Sequence, residues 1–266
     1  MPRLSAVTAT AGFLTVIAAL AVGAGERFCR HELPAHLTRP GLAMQLASSV
    51  SDVEKVLGLA TACPGPPRPT PAPSCAANRA TLVQQQYRDF VFIPIYVVFF
   101  VLLGAMLCAR GGWRVAPGVA VVVLAVVAGY FDVKEDRVIL AILDRVPACA
   151  VMPRAAALVK WRAICGLLFL AAPLFVPPAG VRGLGRWFGY AAALLGASAT
   201  YFAWKQHSTL DDGHLETAAT LVAAAVLSAW VAVAARAWFP DGLLPALDAW
   251  ASRGWLRRVA NWPRDE

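Results

Sequence analysis

Asp132, Glu135 and Asp136 stand at i, i+3 and i+4, a spacing that puts three carboxylates on one face wherever the chain is helical. Carboxylates that close repel one another unless cations offset them. Lys134 and Arg137 complete five ionisable residues in the six from Asp132 to Arg137, and this charged stretch ends the apolar run Val115–Phe131. Three kinds of chemistry fit. The first is a salt-bridge network that locks helices together. The second is a pocket for an ion or small molecule. The third is acid/base catalysis by Asp132 or Glu135, which requires a carboxylate of raised pKa in a cleft.

A second group consists of His207, Asp211, Asp212, His214 and Glu216, side chains that suit a divalent metal. Their spacing matches no HExxH-type template, and Asp211-Asp212-Gly213 is also ordinary turn chemistry. Cys63 and Cys75 bracket a Pro-rich segment and are the disulfide candidates. No two cysteines have the CxxC spacing of a thiolate metal site. The apolar runs contain no histidine, so bis-His haem ligation has no foothold. No cofactor is implied.

The elements that must position these residues read as membrane spans. Of the 266 residues, 59% are hydrophobic and 15% are charged, against about 25% charged in a soluble domain. The net charge of +8 is carried in short clusters between apolar runs, as in membrane-flanking Arg and Lys, and no nucleic-acid-binding pattern occurs. The partner is therefore the lipid bilayer, with a small molecule or lipid as a further candidate. The sequence is silent on oligomeric state. The expected fold is all-α, polytopic, with about six transmembrane helices: Leu4–Ala24, Phe90–Ala109, Val115–Phe131, Leu158–Val176, Trp187–Trp204 and Ala218–Phe239. Residues 1–25 form an anchor or a cleaved signal peptide, 26–89 an extracytoplasmic loop, 90–240 the helical bundle, and 241–266 an amphipathic tail helix carrying Leu247, Trp250, Trp255, Val259 and Trp262. Within the loop, Ser51 and Glu54 have the S-x-x-E spacing of a capping box. Val138–Val151 is an interfacial helix or a continuation of the third span. Ala192, Gly196 and Thr200 have small-xxx-small spacing for close helix packing. Lys160 and Arg162 open the fourth span, where their side chains can snorkel to the interface or pair with the carboxylates. Tyr87, Tyr96, Trp113, Trp187, Tyr201 and Trp204 lie near span ends, as an aromatic belt would.

Counting spans brings Asp89, Asp132, Glu135, Asp136 and Lys160 to one side of the membrane, together with the long loop. Arg110, Arg114, Arg182, Arg186 and the basic tail fall on the other. By the positive-inside rule the second side is cytoplasmic, although Lys134, Arg137, Arg145, Arg154, Lys160 and Arg162 then count toward the outer side.

Several segments resemble a widespread group of small bacterial multi-pass membrane proteins. They are Met44-Gln45-Leu46-Ala47 with the helix that follows, Asp89-Phe90-Val91-Phe92 continuing to Tyr96, Asp132-x-x-Glu135-Asp136, and Ala157-x-x-Lys160-Trp161. The group's pattern is an ELA helix, D-F-x-F-x-x-x-Y, D-x-x-E-N and a lysine opening the next span. The similarity covers about residues 42–176, and this chain has Asp136 where the pattern has Asn. The resemblance implies that Asp89, Tyr96, Asp132, Glu135 and Lys160 form one site in a bacterial inner-membrane protein. It brings no activity to carry over and no catalytic residue. The function read from the sequence is a structural or small-ligand- or lipid-binding bundle with a polar cluster at its extracytoplasmic face. The alternatives are a membrane enzyme or a proton- or ion-coupled carrier.

The orientation has a direct test. In a background without other reactive thiols, Ser74→Cys should react with a membrane-impermeant thiol reagent on intact cells and Ser252→Cys should not. The reverse pattern would invert the arrangement.

Overall fold

The computed structural model describes residues 2–23, 39–57, 75–145, 152–175, 184–205 and 214–238. Every regular element among these residues is helical: α1 (Pro2–Gly23), α2 (Pro40–Leu46), α3 (Val50–Leu57), α4 (Cys75–Cys108), α5 (Val115–Arg145), α6 (Arg154–Phe175), α7 (Leu184–Lys205) and α8 (His214–Trp238). A 3-10 turn, Gly112–Arg114, precedes α5. The long helices pack in sequence, α4 on α5, α5 on α6, α6 on α7 and α7 on α8, and α1 closes the ring between α4 and α8.

The helices are apolar outside as well as inside. Val91 and Val98 of α4, Val119, Val123 and Val126 of α5, Phe169 of α6 and Leu227 of α8 point outward and are exposed. A helix apolar all round needs an apolar solvent, and helices that satisfy their own backbone groups are what a bilayer admits. Five helices are long and apolar enough to cross a membrane: α1, α4, α5, α6 and α8. The chain is thus a multi-pass helical membrane protein. The remaining expected span, Trp187–Trp204, forms α7, whose Gly, Ser, Thr, Tyr and Trp content dilutes its hydropathy.

Two helices run well past their apolar stretches. α4 begins at Cys75, 34 residues long, so the segment up to Asp89 is helical rather than loop. α5 is 31 residues long and ends at Arg145, so most of Val138–Val151 continues the third span. These extensions end on the same side, where Arg79 and Asp144 meet at 3.8 Å on the surface. The short helices α2 and α3 roof this end: α2 packs on α5 and α6, and α3 on α4. A Cβ on Gly41 would come within 2.6 Å of the Gln85 side chain, so α2 also lies tight against α4.

The capping box of α3 is displaced from the expected position. Ser49 is the cap: its Oγ accepts from the Asp52 N–H at 3.1 Å, and Asp52 Oδ2 accepts from the Ser49 N–H at 3.1 Å and from the Ser48 N–H and hydroxyl at 3.0 Å. The helix starts at Val50, two residues earlier than a cap at Ser51 requires. Burial pushes the Asp52 carboxyl up, but the Ser48 and Ser49 hydrogen bonds and nearby Lys55 outweigh it, and the net shift is downward.

At the opposite end, α4 and α5 are joined by a short turn in which Gly111 (φ 68°) and Gly112 (φ 60°) take left-handed backbone. The two helices then touch backbone to backbone. A Cβ on Gly118 would stand 2.6 Å from Cys108 Sγ and 2.8 Å from the Gly104 carbonyl oxygen. The expected small-residue stripe on α7 packs as its spacing requires: a Cβ on Gly196 would meet Leu168 Cβ at 3.1 Å, and the Thr200 hydroxyl is shared between the Cys165 and Gly196 carbonyls at 3.0 and 2.8 Å.

Two arginines satisfy carbonyls near helix ends that lack intrahelical donors. Arg110 Nη1 donates to Leu174 O of α6 at 3.1 Å, and Arg88 Nη1 donates to Ala21 O of α1 at 3.3 Å. The tail (residues 239–266), Cys63 and the Cys75 side chain lie outside the described residues, and so does the question of their disulfide.

The glycine contact yields a paired prediction. Gly118→Ala must prise α4 from α5 and should destabilise the detergent-solubilised protein by about 1–3 kcal/mol. Gly166→Ala, whose Cβ would find Leu124 Cδ1 at 3.6 Å, should be neutral or stabilising by up to about 1 kcal/mol. Equal melting temperatures for the two variants would contradict the close approach.

Candidate functional site

Three helices present their inner faces through an alternating 3,4 spacing. On α4 the seam is Leu82, Gln86, Asp89, Ile93, Tyr96, Phe100, Leu103 and Leu107. On α5 it is Gly118, Val121, Ala125, Ala128, Asp132, Glu135, Ile139 and Ile142. On α6 it is Ala157, Lys160, Ile164, Leu167, Ala171 and Leu174. All of these are buried except Asp89, which is half-buried. Such a seam is normally apolar throughout. Here it turns polar at one level on all three helices, where the apolar stretches of α4 and α5 give way to their extensions.

The polar level is bound together by Lys160. Its Nζ lies 2.8 Å from Asp132 Oδ1 and 2.8 Å from Glu135 Oε2. Tyr96 donates its hydroxyl to the other Asp132 oxygen, Oδ2, at 2.7 Å. Asp132 is 3% exposed, Lys160 3% and Glu135 0%. Lys160 therefore does not snorkel to the interface. Turned inward, its ammonium exchanges water for two carboxylates. Arg162, two residues on, faces the other way and lies over the Trp204 ring at 5.2 Å.

Tyr96 likewise leaves the expected aromatic belt. It is 3% exposed, between Phe92 and Phe100, because its hydroxyl has a buried acceptor to reach. Tyr87, Trp113, Trp187, Tyr201 and Trp204 are exposed.

Asp136 is different. It is completely buried, and neither carboxylate oxygen has a hydrogen-bond partner. Its carboxylate, that of Asp132 on the same helix and that of Asp89 on α4 each place an oxygen within 4.8 Å of the others. The site thus gathers four carboxylates (Asp89, Asp132, Glu135, Asp136) around one ammonium. Fully ionised, that is four negative charges against one positive, an excess of three. Oxygen-only donors of this kind suit hard cations or protons.

The seam of α4 carries a further buried polar residue. Gln86 is 2% exposed, one turn before Asp89, and its Oε1 has no hydrogen-bond partner. A polar residue at a seam position of α4 was the available signal. Gln45 of α2 accepts from Trp161 Nε1 at 3.0 Å, pinning the roof beside Lys160.

Of the second expected group, only His214 and Glu216 lie among the described residues. His214 lies against the Phe202 ring and Glu216 is buried in the first turn of α8; neither belongs to the carboxylate group, the only such group among the described residues. His207, Asp211 and Asp212 lie outside the described residues. No family model, curated protein or solved structure matches the chain.

The shared ammonium predicts non-additive mutations. Lys160→Met leaves buried carboxylates uncompensated and should cost about 3–5 kcal/mol of stability. Asp132→Asn in that background should restore part of the loss, since it removes one of the stranded charges. Strictly additive losses in thermal melts of the two singles and the double would show that the groups are not coupled.

Proposed function

We propose that this protein is a small-ligand-binding bundle of a bacterial inner membrane, whose three-helix polar site takes a positively charged ligand from the extracytoplasmic side. The site divides into two parts. Asp132, Lys160 and Tyr96 are joined by hydrogen bonds, and Lys160 also pairs with Glu135 Oε2, although Glu135 Oε1 has no hydrogen-bond partner; together they form a frame that ties α4, α5 and α6. Asp89 and Asp136 exceed what that frame needs. A network serving only as a clamp would balance its charges, because an unpaired buried charge costs far more than a pair returns.

The observation that carries this reading is Asp136, fully buried with both oxygens unpartnered. The half-buried Asp89 gives the ligand its way in. An enzyme or a coupled carrier would need, in addition, a substrate cleft or a second conformation.

The test is Asp136→Asn. In ligand-free protein the substitution replaces an unpartnered buried carboxyl group at nearly constant volume, so the melting temperature should match or exceed the parent's. Native mass spectrometry of gently purified parent should show a small cationic adduct that the variant lacks. A destabilisation as large as that of Lys160→Met, with no adduct in either protein, would make Asp136 a member of the clamp and defeat the reading.

A further inference from the structure

Resting on that reading, we infer that the ligand is a single hard divalent metal ion of the Mg2+, Mn2+ and Ca2+ class, held by Asp89, Asp132 and Asp136. Three independent features converge on this. The first is geometry. Oxygen atoms from all three carboxylates lie within 4.8 Å of one another, and ligands at about 2.0–2.6 Å from a common ion are separated by no more than about 4–5 Å. Asp132 and Asp136 come from successive turns of α5 and Asp89 from the facing seam of α4, so two helices grip the ion from opposite sides, as carboxylate sites in helical bundles do.

The second feature is the unsatisfied donor. Asp136 is 0% exposed and offers both oxygens, enough for bidentate ligation. Asp132 is oriented by partners that leave it lone pairs: Lys160 on Oδ1 and Tyr96 on Oδ2. Outer partners of this kind fix the direction of a ligating carboxylate. The remaining positions would be filled by water, as is usual for these ions.

The third feature is charge and chemistry. The donors within the group are all carboxylate oxygens, with no imidazole or thiolate to favour zinc, copper or an iron–sulfur centre. In the fully ionised cluster, the excess of three negative charges falls to one when a divalent ion binds and only to two when a monovalent ion does. Lys160 bridges Asp132 and Glu135 and so offsets part of the negative charge of the four carboxylates.

The experiment is a Mn2+ titration of the full-length detergent-purified protein, following the free-ion electron paramagnetic resonance signal. One saturable Mn2+ per chain is expected, displaced by Mg2+ or Ca2+. Affinity should fall at least tenfold in Asp136→Asn and in Asp89→Asn, and should be unchanged in Asp144→Asn, which alters the exposed carboxylate paired with Arg79. Mn2+ should also raise the melting temperature of the parent and not of Asp136→Asn. The metal assignment is overturned by the absence of saturable binding, or by binding that both cluster variants retain. If Mn2+ fails while native mass spectrometry finds another cationic adduct that Asp136→Asn abolishes, the metal falls and the cationic site stands. If neither is found, both fall.

Discussion

The bundle depends on one ammonium group. Lys160 enters from α6 and meets two carboxylates of α5 at 2.8 Å each, and one of those carboxylates accepts the Tyr96 hydroxyl of α4. Three helices are thereby tied at one height by contacts that tolerate little displacement, in surroundings where water cannot substitute. The apolar packing above and below is non-directional and would accept helices sliding or turning past one another. The ammonium fixes the rotation of α5 and α6, and the tyrosine fixes that of α4.

The two ends of the α4–α5 pair work by opposite means. At the turn end, Gly104 and Gly118 let the backbones touch, which excludes anything between them. At the roofed end, Asp89, Asp132 and Asp136 hold the same helices around a group of mutually repelling oxygens. The pair is in backbone contact at one end and joined through polar side chains at the other. The roof reinforces this, since α2 is seated against Gln85 through Gly41 and hydrogen-bonded to Trp161 through Gln45.

Much of this was present in the sequence. Apolar run lengths gave the helices, and counting them brought Asp89, Asp132 and Lys160 to one side. Span counting says nothing about rotation, however, and rotation decides which charges meet. That information lay in the 3,4 seams, on which Asp89, Asp132, Glu135 and Lys160 fall in register with Leu and Ile. A charged residue at a seam position is an inward-facing one, and on this basis Lys160 and Tyr96 could have been assigned to the interior rather than to the interface. The lack of a partner for Asp136 was not legible, because it depends on how three neighbouring side chains divide a single lysine. Nor was the start of α3, where the outcome rests on Asp52 reaching back to both Ser48 and Ser49. The marginal hydropathy of α7 reflects its neighbours: α6 and α8 cover its Ala192, Gly196 and Ala199 face.

The ring closes between its first helix and its last. The Trp230 indole of α8 donates to the Ala9 carbonyl of α1 at 3.0 Å, across 221 residues of sequence, and the close fit of Gly12 against Trp230 and Phe99 lies beside it. At a synthesis rate of about 5–20 residues per second, that partner arrives about 10–40 s after Ala9 has been made. During that interval α1 has α4 to lean on but no second wall. Its Thr8, Ala9, Gly12 and Thr15 face, buried in the finished protein, is open to lipid or to an insertion factor. The packing of α1 against α8 therefore waits on the synthesis of α8.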